Sequence, residues 1–544
     1  MPPRYPLVDV AVELPIEKTF TYAIPEGLSP RVEVGKRLLV PFGKRVVTSY
    51  ALSFRDESPI KDAKPVIDVL DDNPLFDTQG LSLYRWLSSY YHAPLGEVLR
   101  LIHPPELNVK THRYFHLTTS GKEVVQKGGR VKGLDVLRAI GEGGKGLSTL
   151  KRLKGGHIYT ILAYLKQKGF IEEEIKIQGG TKGKKVSVDS MGDIPSDFLL
   201  PHRPTDEQKK AIEVITEGVR SNRFSPFLLY GVTGSGKTFV YLKAVEEALN
   251  IGRKAILLVP EIALTTWLAR PLLSRFQKRV AILHSGLSAG ERYSQWRRIA
   301  FGEVDVVVGA RSALFAPLKG LGLIIVDEEH DPSYKQEEGV RYNARDVALM
   351  MGRLFKLTVV LGSATPSIET FYNTRKGKIT PLYLEKRVED RPLPLMELVD
   401  MRGESHVLSH RLSTALRENM EKGRQSILFL NRRGFATSLI CRDCGHGFMC
   451  FNCSIPLTFH KRARVLRCHY CDLTTPAPDI CPRCRGYRVE QSGAGTERVE
   501  EEVKRLFPEA RAIRMDRDTT RKRGAHQGIL DAVGGGGVDI LLGT

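Results

Sequence analysis

Outside residues 441–484 this chain of 544 residues contains no cysteine, which excludes a disulfide framework spread through the fold. Its N-terminus, Met1-Pro2-Pro3-Arg4-Tyr5, has no apolar stretch of the kind that opens a secretory signal, and no apolar run approaches the roughly 20 residues a spanning helix needs. A secreted scaffold and a helical membrane protein are set aside, and a soluble, cytoplasmic chain with no membrane partner is predicted. Acid is in deficit: 62 Asp and Glu stand against 82 Lys and Arg, a net charge of +20 with no low-complexity tail to carry it. A basic surface spread over folded sequence favours a polyanion partner, the alternative being a solvated basic face.

The length leaves room for roughly three to four domains. Residues 1–105 open with alternating segments at 7–14, 36–40 and 45–54, cut by Pro15, Pro25-Glu26-Gly27 and Pro41-Phe42-Gly43. This predicts a small β-rich domain, closed by a helix whose Leu83, Trp86, Leu87, Tyr90 and Tyr91 form a core stripe. Residues 106–178 read as a strand, three short helices (130–140, 147–153, 158–168) and a hairpin. That pattern suits a winged helix offering Lys166 and Lys168 to phosphates, and equally a helical spacer. The Gly-, Lys- and Ser-rich stretch 179–201 predicts a linker. From Pro204 onward, apolar runs at 227–230, 255–259, 305–308, 323–326 and 358–361 alternate with helical sequence, which predicts a parallel sheet covered on both faces.

The first of those runs leads into Gly231-Val232-Thr233-Gly234-Ser235-Gly236-Lys237-Thr238, the strand, loop and helix setting of a phosphate-binding loop. Gly231, Gly234, Ser235 and Gly236 let successive N–H groups curl around phosphate oxygens, Lys237 reaches the terminal phosphates, and Thr238 offers its hydroxyl to magnesium. The run 323–326 ends in Asp327-Glu328-Glu329-His330, so Asp327 is placed to hold magnesium and Glu328 to polarise the attacking water. Ser363 and Thr365, in Gly362-Ser363-Ala364-Thr365, supply hydroxyls that can sense those carboxylates, and Gln208 ahead of the loop is placed to read adenine. Segments 259–265, 284–286 and 309–312 follow strands on the same edge and offer N–H groups, hydroxyls and Arg311 to a phosphate backbone.

The cysteines form four Cys-x-x-Cys pairs: Cys441 with Cys444, Cys450 with Cys453, Cys468 with Cys471, and Cys481 with Cys484. Eight thiolates suffice for two tetrahedral zinc sites, redox use of one pair being the competing reading. The spacing alone leaves open which pairs share an ion. The segment 441–488 holds eight Arg and Lys against three acids, which suits contact with DNA.

In order, these segments resemble the superfamily 2 helicases, and several strings resemble one family, the PriA primosomal replication-restart helicases (primosomal protein N′). The strings are Arg311-Ser312-Ala313-Leu314-Phe315, Asp327-Glu328-Glu329-His330-Asp331, Ser333-Tyr334-Lys335-Gln336, Gly362-Ser363-Ala364-Thr365-Pro366 and Phe429-Leu430-Asn431-Arg432-Arg433-Gly434. The resemblance runs along the whole chain, with Gly495-Thr496-Glu497-Arg498 and Met515-Asp516-Arg517-Asp518-Thr519-Thr520 similar to the family's second lobe. It implies a multidomain α/β fold: a DNA 3′-end-binding domain over 1–105, a winged helix over 106–178, a linker over 179–203 and RecA-like helicase lobe 1 over 204–383. Lobe 2 would occupy 384–440 and 489–544, with a two-zinc module inserted at 441–488.

The same resemblance implies nesting of the zinc ligands, with Cys441, Cys444, Cys481 and Cys484 on one ion and Cys450, Cys453, Cys468 and Cys471 on the other. Residues 331–345 resemble the family's aromatic-rich loop, which couples DNA to ATP hydrolysis. Tyr334 and Tyr342 would stack bases there, and Lys335, Arg341 and Arg345 would meet phosphates. Asn343 stands where the family commonly has His. The implied function is an ATP-dependent 3′→5′ helicase, using Mg2+, that recognises stalled or branched forks and initiates primosome assembly beside single-strand-binding proteins. An RNA helicase is disfavoured by the 3′-end domain and the cysteines. Residues 540–544 open the fifth helicase motif, ahead of the family's arginine-finger motif. The expectation drawn from this is a chain that binds forked DNA and unwinds it poorly, with a non-catalytic fork-binding scaffold as the alternative.

Overall fold

The computed structural model describes residues 6–43, 45–57, 62–104, 110–127, 131–141, 143–154, 157–178, 203–260, 272–388, 392, 394–402, 406–430, 438–460, 463–492, 496–516, 519–520 and 525–543. The segments 179–201 and 261–265, Arg432 and Arg433, and Gly495, Arg517 and Asp518 therefore lie outside the described residues. The chain divides into two compact units, Met1–Arg391 and Pro392–Thr544.

The first unit opens with β1 (Leu7–Val12), β2 (Phe20–Ala23), β3 (Arg37–Phe42), β4 (Arg45–Arg55) and β5 (Asp68–Val69), an antiparallel sheet in the order β2-β1-β4-β3-β5. Alternation sends Val8, Val10 and Val12 into one apolar cluster and Ala11 into another, as period-2 side-chain placement requires. Helix α1 (Thr78–Tyr90), capped by Asp77, and α2 (Leu95–Leu99) cover that second face. In the predicted stripe Leu83 and Leu87 are buried, whereas Tyr90 is 59% exposed and stacks on Trp86 with centroids 4.9 Å apart.

The next segment comprises β6 (Lys110–Leu117), α3 (Thr119–Lys127), α4 (Leu134–Ile140), β7 (Lys145–Gly146), α5 (Leu147–Lys154), α6 (Ile158–Gln167) and β8 (Ile171–Gln178). The three strands pair in the order β7-β6-β8, and Phe115, Leu137, Leu150 and Leu165 meet in the core beneath them. Helix α3 is absent from the sequence reading. Its Gly121 lies so close to the Phe170 carbonyl that a Cβ would stand 2.0 Å from the oxygen. Lys166 and Lys168 are exposed.

The remainder of the unit is α7 (Asp206–Arg220), β9 (Ser225–Gly231), α8 (Lys237–Asn250), β10 (Lys254–Leu258), β11 (Val280–Leu283), α9 (Ala289–Ala300), β12 (Val306–Gly309), β13 (Leu321–Val326), α10 (Ala344–Phe355), β14 (Thr358–Ser363), α11 (Ile368–Arg375) and β15 (Thr380–Leu384). The strands make one seven-stranded parallel sheet in the order β11-β12-β10-β13-β14-β9-β15. Leu228, Ile256, Ile324, Val326, Val359 and Leu361 face one core, and Phe227, Leu229, Leu257, Leu323, Ile325 and Val360 face the other. This is the signature of a sheet buried on both sides. Strands β11 and β15, at the two ends of the sheet, are absent from the sequence reading; β15 carries an exposed Tyr383 that breaks its apolar run, and β11 is wholly apolar and buried.

The N-terminal sheet is not a detached module. Leu83, Leu87, Leu99 and Ile102 share one cluster with Phe315, Val347 and Met351, and Trp296 Nε1 donates to the Ile102 carbonyl at 3.0 Å.

The second unit contains α12 (His410–Glu421), β16 (Ser426–Phe429), β17 (Ser438–Cys441), β18 (Thr458–His460), β19 (Val465–Arg467), β20 (Thr474–Pro476), β21 (Val489–Ser492), α13 (Thr496–Leu506), β22 (Ala512–Met515), α14 (Ala525–Gly534) and β23 (Ile540–Gly543). Its parallel sheet runs β16-β23-β22 against a core of Leu416, Leu428, Val499, Val503, Phe507 and Ile540. The cysteine segment leaves along β17 and returns along its antiparallel neighbour β21, while β18, β19 and β20 form a small meander inside it. No helix among the described residues is long and apolar enough to cross a membrane.

Candidate functional site

Strands β13, β14 and β9 are adjacent and parallel, so the loops that leave their carboxyl ends meet at one edge. From β9 the chain turns through Gly234 and Gly236, both at positive φ (82° and 80°), into α8. A Cβ on Gly236 would strain a backbone at φ 80° and, standing 2.4 Å from Gln208 Nε2, would have to push that amide off the loop. Gln208 also completes a capping box with Thr205 and donates from Nε2 to the Ser235 carbonyl at 2.8 Å. It braces the phosphate loop. The expectation that Gln208 reads adenine is not met by this geometry, because both ends of its amide are taken by protein groups.

Lys237 Nζ donates to the Gly231 carbonyl at 2.9 Å, and Ser235 Oγ is buried with no hydrogen-bond partner. A lysine folded back on its own loop, an orphaned hydroxyl and glycines at positive φ fit a phosphate group as the missing partner.

Asp327 follows β13 and is 7% exposed, with the Tyr241 hydroxyl donating to its Oδ1 at 2.8 Å and the Tyr334 hydroxyl to its carbonyl at 2.6 Å. Burial pushes its carboxyl up to about 6, against the opposing pull of the Tyr241 bond and Lys237. A buried carboxylate beside a lysine and facing phosphate donors suits a divalent cation. Glu328 adopts a left-handed backbone (φ 46°), which costs a non-glycine residue about 1–2 kcal/mol and is held by the Glu329 N–H on the Gly362 carbonyl. His330 links the two post-strand motifs: Nδ1 lies 2.8 Å from Ser363 Oγ and 3.6 Å from Glu328 Oε2, and Nε2 lies 3.4 Å from Thr365 Oγ1.

The loop 331–343 packs beside this edge. Arg311 Nη1 donates to the carbonyls of Ser333 and Lys335, and Lys335 Nζ donates to that of Arg341. Arg311, Ser333, Lys335, Gln336, Glu337 and Glu338 line an open cleft of about 440 Å³. Three expected DNA contacts need correcting. Tyr334 and Tyr342 are each 1% exposed, so neither ring has a face open to a base, and Tyr342 packs edge-on against Phe315 instead. The Arg345 guanidinium is turned inward onto Glu329, Asp346 and Ser367. Lys335 and Arg341 are exposed.

The cysteines fall into two groups, Cys441, Cys444, Cys481 and Cys484, and Cys450, Cys453, Cys468 and Cys471, the sulfurs within each lying within 4.8 Å of one another. Sulfur separations of 3.6 Å (Cys441 to Cys484, Cys450 to Cys471) and 3.7 Å (Cys444 to Cys481) match the edge of about 3.8 Å expected of a tetrahedral Zn–S4 centre. All four knuckles share one turn. The residue after the second cysteine (Gly445, Ser454, Asp472, Arg485) has positive φ and donates its N–H to the carbonyl of the first. The Leu473 N–H lowers the Cys471 thiol to about 6, while the bond with Cys471 pushes its neighbour Cys453 up to about 12, as four crowded thiols share their protons unevenly until a metal replaces them.

Tyr241, Glu329 and Gly362 were not singled out in the sequence. A tyrosine on the buried face of α8, at positions i+4 from Lys237 and i+3 from Thr238, was the available signal, because a buried phenol needs a partner.

A parallel sheet with a phosphate loop and an acidic strand end at one edge defines a nucleotide-binding P-loop core, and the DEAD/DEAH box helicase family model, which matches residues 205–374, places that core in the helicase class. The model for the 3′DNA-binding domain of PriA matches residues 9–104, and that for the Cys-rich region of the PriA DNA helicase matches 450–476. The chain is 36% identical to the replication restart protein PriA of Bacillus subtilis, over 99% of this chain and 75% of the relative. It is likewise 36% identical to those of Haemophilus influenzae and Treponema pallidum, over 99% of this chain and 74% and 71% of theirs. Among solved structures, RecG bound to a three-way DNA junction is similar at a TM-score of 0.36 and 18% identity, over 63% of this chain and 37% of that one. The chain belongs to the PriA family of replication restart helicases.

Proposed function

We propose that this chain hydrolyses ATP with Mg2+ to drive 3′→5′ movement on DNA, recognises stalled or branched forks, and starts primosome assembly for replication restart in the cytoplasm. Single-strand-binding and primosome proteins are its proposed partners. The observation that carries the reading is that Lys237, at the start of α8 after β9, and Asp327 and Glu328, after β13, lie at the same carboxyl edge of one sheet, in a chain that also matches a 3′DNA-binding domain. All three catalytic groups lie at that one edge, which favours an ATPase over a fork-binding scaffold without catalysis.

In this reading Lys237 exchanges the Gly231 carbonyl for phosphate oxygens, while Ser235 and the N–H groups from Gly231 to Gly236 cradle the rest. Thr238 and Asp327 hold the magnesium, which when bound neutralises phosphate charge. Glu328 orients a water and takes its proton. Ser363 and Thr365 report the state of this centre through His330. Arg311 shapes the loop that presents Lys335 and Arg341 to DNA phosphates. The zinc centres fix the fold of 441–488, and the domain limits are those set out from the sequence.

ATP hydrolysis with and without forked DNA, and fork unwinding, test this. Lys237→Ala and Glu328→Gln are expected to lower DNA-stimulated hydrolysis by at least about a hundredfold while DNA affinity stays within a few-fold. An equal loss of DNA affinity would overturn the assignment.

A further inference from the structure

Tyr241 is buried in α8, and its hydroxyl reaches across to Asp327 Oδ1 at 2.8 Å. A phenol keeps its proton at neutral pH, so the Tyr241 hydroxyl is the donor and the carboxylate the acceptor in this contact. The space for this contact is provided by a third element. Gly362, in β14, has no side chain, and a Cβ there would stand 1.6 Å from the Tyr241 hydroxyl oxygen and 3.4 Å from Asp327 Oδ1. A phenol enclosed in a packed core cannot swing aside to make room, so the glycine and the hydroxyl require one another. Residues from the phosphate-loop helix, the acidic strand end and the Gly-Ser-Ala-Thr strand thus converge on one O–H group.

We propose that Tyr241 is a positioning residue for the metal carboxylate: its hydroxyl holds Oδ1 and so sets the orientation of the Asp327 carboxylate that would meet the magnesium of a bound nucleotide, and Gly362 makes the room for that hydroxyl. The proposal rests on the reading of Asp327 as the magnesium ligand. Thr238, the other group that would meet magnesium in that reading, lies three residues before Tyr241 on the same helix face, so one turn of α8 carries both Thr238 and the residue that orients Asp327. Partners that orient a metal ligand typically contribute about ten- to a hundredfold in metal affinity.

The experiment is fluorescence titration of the full chain with a fluorescent ADP analogue, in EDTA and across a Mg2+ series, beside thermal unfolding without nucleotide. Tyr241→Phe keeps the ring and removes the donor. It is expected to raise the Mg2+ concentration for half-maximal binding about tenfold with affinity in EDTA unchanged, the lost bond to a buried carboxylate lowering the unfolding midpoint without preventing folding. Gly362→Ala, which puts a methyl group where the hydroxyl lies, should raise the Mg2+ requirement likewise and also lower the unfolding midpoint, because the packed ring cannot yield. Unchanged Mg2+ dependence in both variants, or equal weakening with and without Mg2+, overturns the inference. Lys237→Ala separates the two levels. If it binds nucleotide normally, the reading of the site itself fails; if it loses binding while Tyr241→Phe and Gly362→Ala remain wild-type, only the role of Tyr241 fails.

Discussion

Glu329 and Arg345 form a buried ion pair, Nη1 to Oε2 at 3.3 Å, between the acidic motif after β13 and the first turn of α10. The Glu329 side chain is fully enclosed, and its oxygens also accept from the Ser367 N–H at 2.7 Å, the Ser367 hydroxyl at 3.0 Å and the Thr370 hydroxyl at 2.9 Å. One carboxylate therefore ties the loop 331–343 to the residues that follow β14. It anchors the far end of that loop, while the Tyr334 hydroxyl anchors its near end on the Asp327 carbonyl.

Removing the cation from this pair leaves a buried carboxylate without its counter-charge. Arg345→Ala is expected to destabilise the first unit by about 3–5 kcal/mol. Arg345→Lys should recover only part of this, since one ammonium cannot serve Glu329, Asp346 and Ser367 together. Calorimetric unfolding checks both. A midpoint for Arg345→Ala equal to wild type would show that the pair is not closed in solution.

Tyr342→Phe should leave DNA affinity within twofold, because the ring is enclosed beside Phe315 and offers no face to a base. Tyr342→Ala opens a cavity and should cost about 3–5 kcal/mol. Binding titrations with forked and single-stranded DNA, run beside unfolding, separate packing from recognition. A tenfold affinity loss in the phenylalanine variant, with stability unchanged, would mean that the loop opens to present this ring.

The contrast between those tyrosines and the phosphate loop shows what was legible. The order of loop, acidic strand end and Gly-Ser-Ala-Thr motif could be read because each sits after an apolar run, and a parallel sheet brings all carboxyl ends to one edge whatever the strand order. Tyr334 and Tyr342 misled because composition reveals that a loop is aromatic and not which way its rings turn. Tyr241 and Gly362 were missed for a related reason: their significance is a close approach between elements 121 residues apart, which no local pattern encodes. The zinc nesting came from family resemblance, since two-residue spacing is the same in every pair. The left-handed turn common to all four knuckles was invisible because Gly, Ser, Asp and Arg fill it.

Those turns make zinc removal consequential. Ser454, Asp472 and Arg485 hold positive φ at about 1–2 kcal/mol each, a strain that the small apolar core of 439–489 has to carry without the ions and that metal binding would offset. Elemental analysis should find two zinc ions per chain. Cys441→Ser and Cys481→Ser should each remove the same one, and Cys450→Ser the other. Chelation should collapse the hydrogen-exchange protection of 441–488 and leave that of β9, β13 and β14 intact. If Cys481→Ser spares the site of Cys441, the grouping is wrong.

Gln208 permits a test of what the residue ahead of the phosphate loop does. Its backbone N–H and side-chain carbonyl close the cap on α7, and its side-chain N–H2 holds the Ser235 carbonyl, so the amide reaches the nucleotide only through the loop it braces. A brace has no means of distinguishing bases. Gln208→Ala should therefore weaken ATP and GTP binding by the same factor, and lower stability by about 1 kcal/mol through the two lost side-chain hydrogen bonds, the Thr205 cap on the backbone N–H being kept. An amide that reads adenine would behave differently: its loss would weaken ATP alone, because a site built to hydrogen-bond a base edge discriminates strongly against a base that cannot answer it. Parallel titrations of the two nucleotides on wild type and variant decide the matter. A selective loss of ATP would show that Gln208 leaves Thr205 and Ser235 when nucleotide arrives, and an equal loss would fix its role as support for the loop.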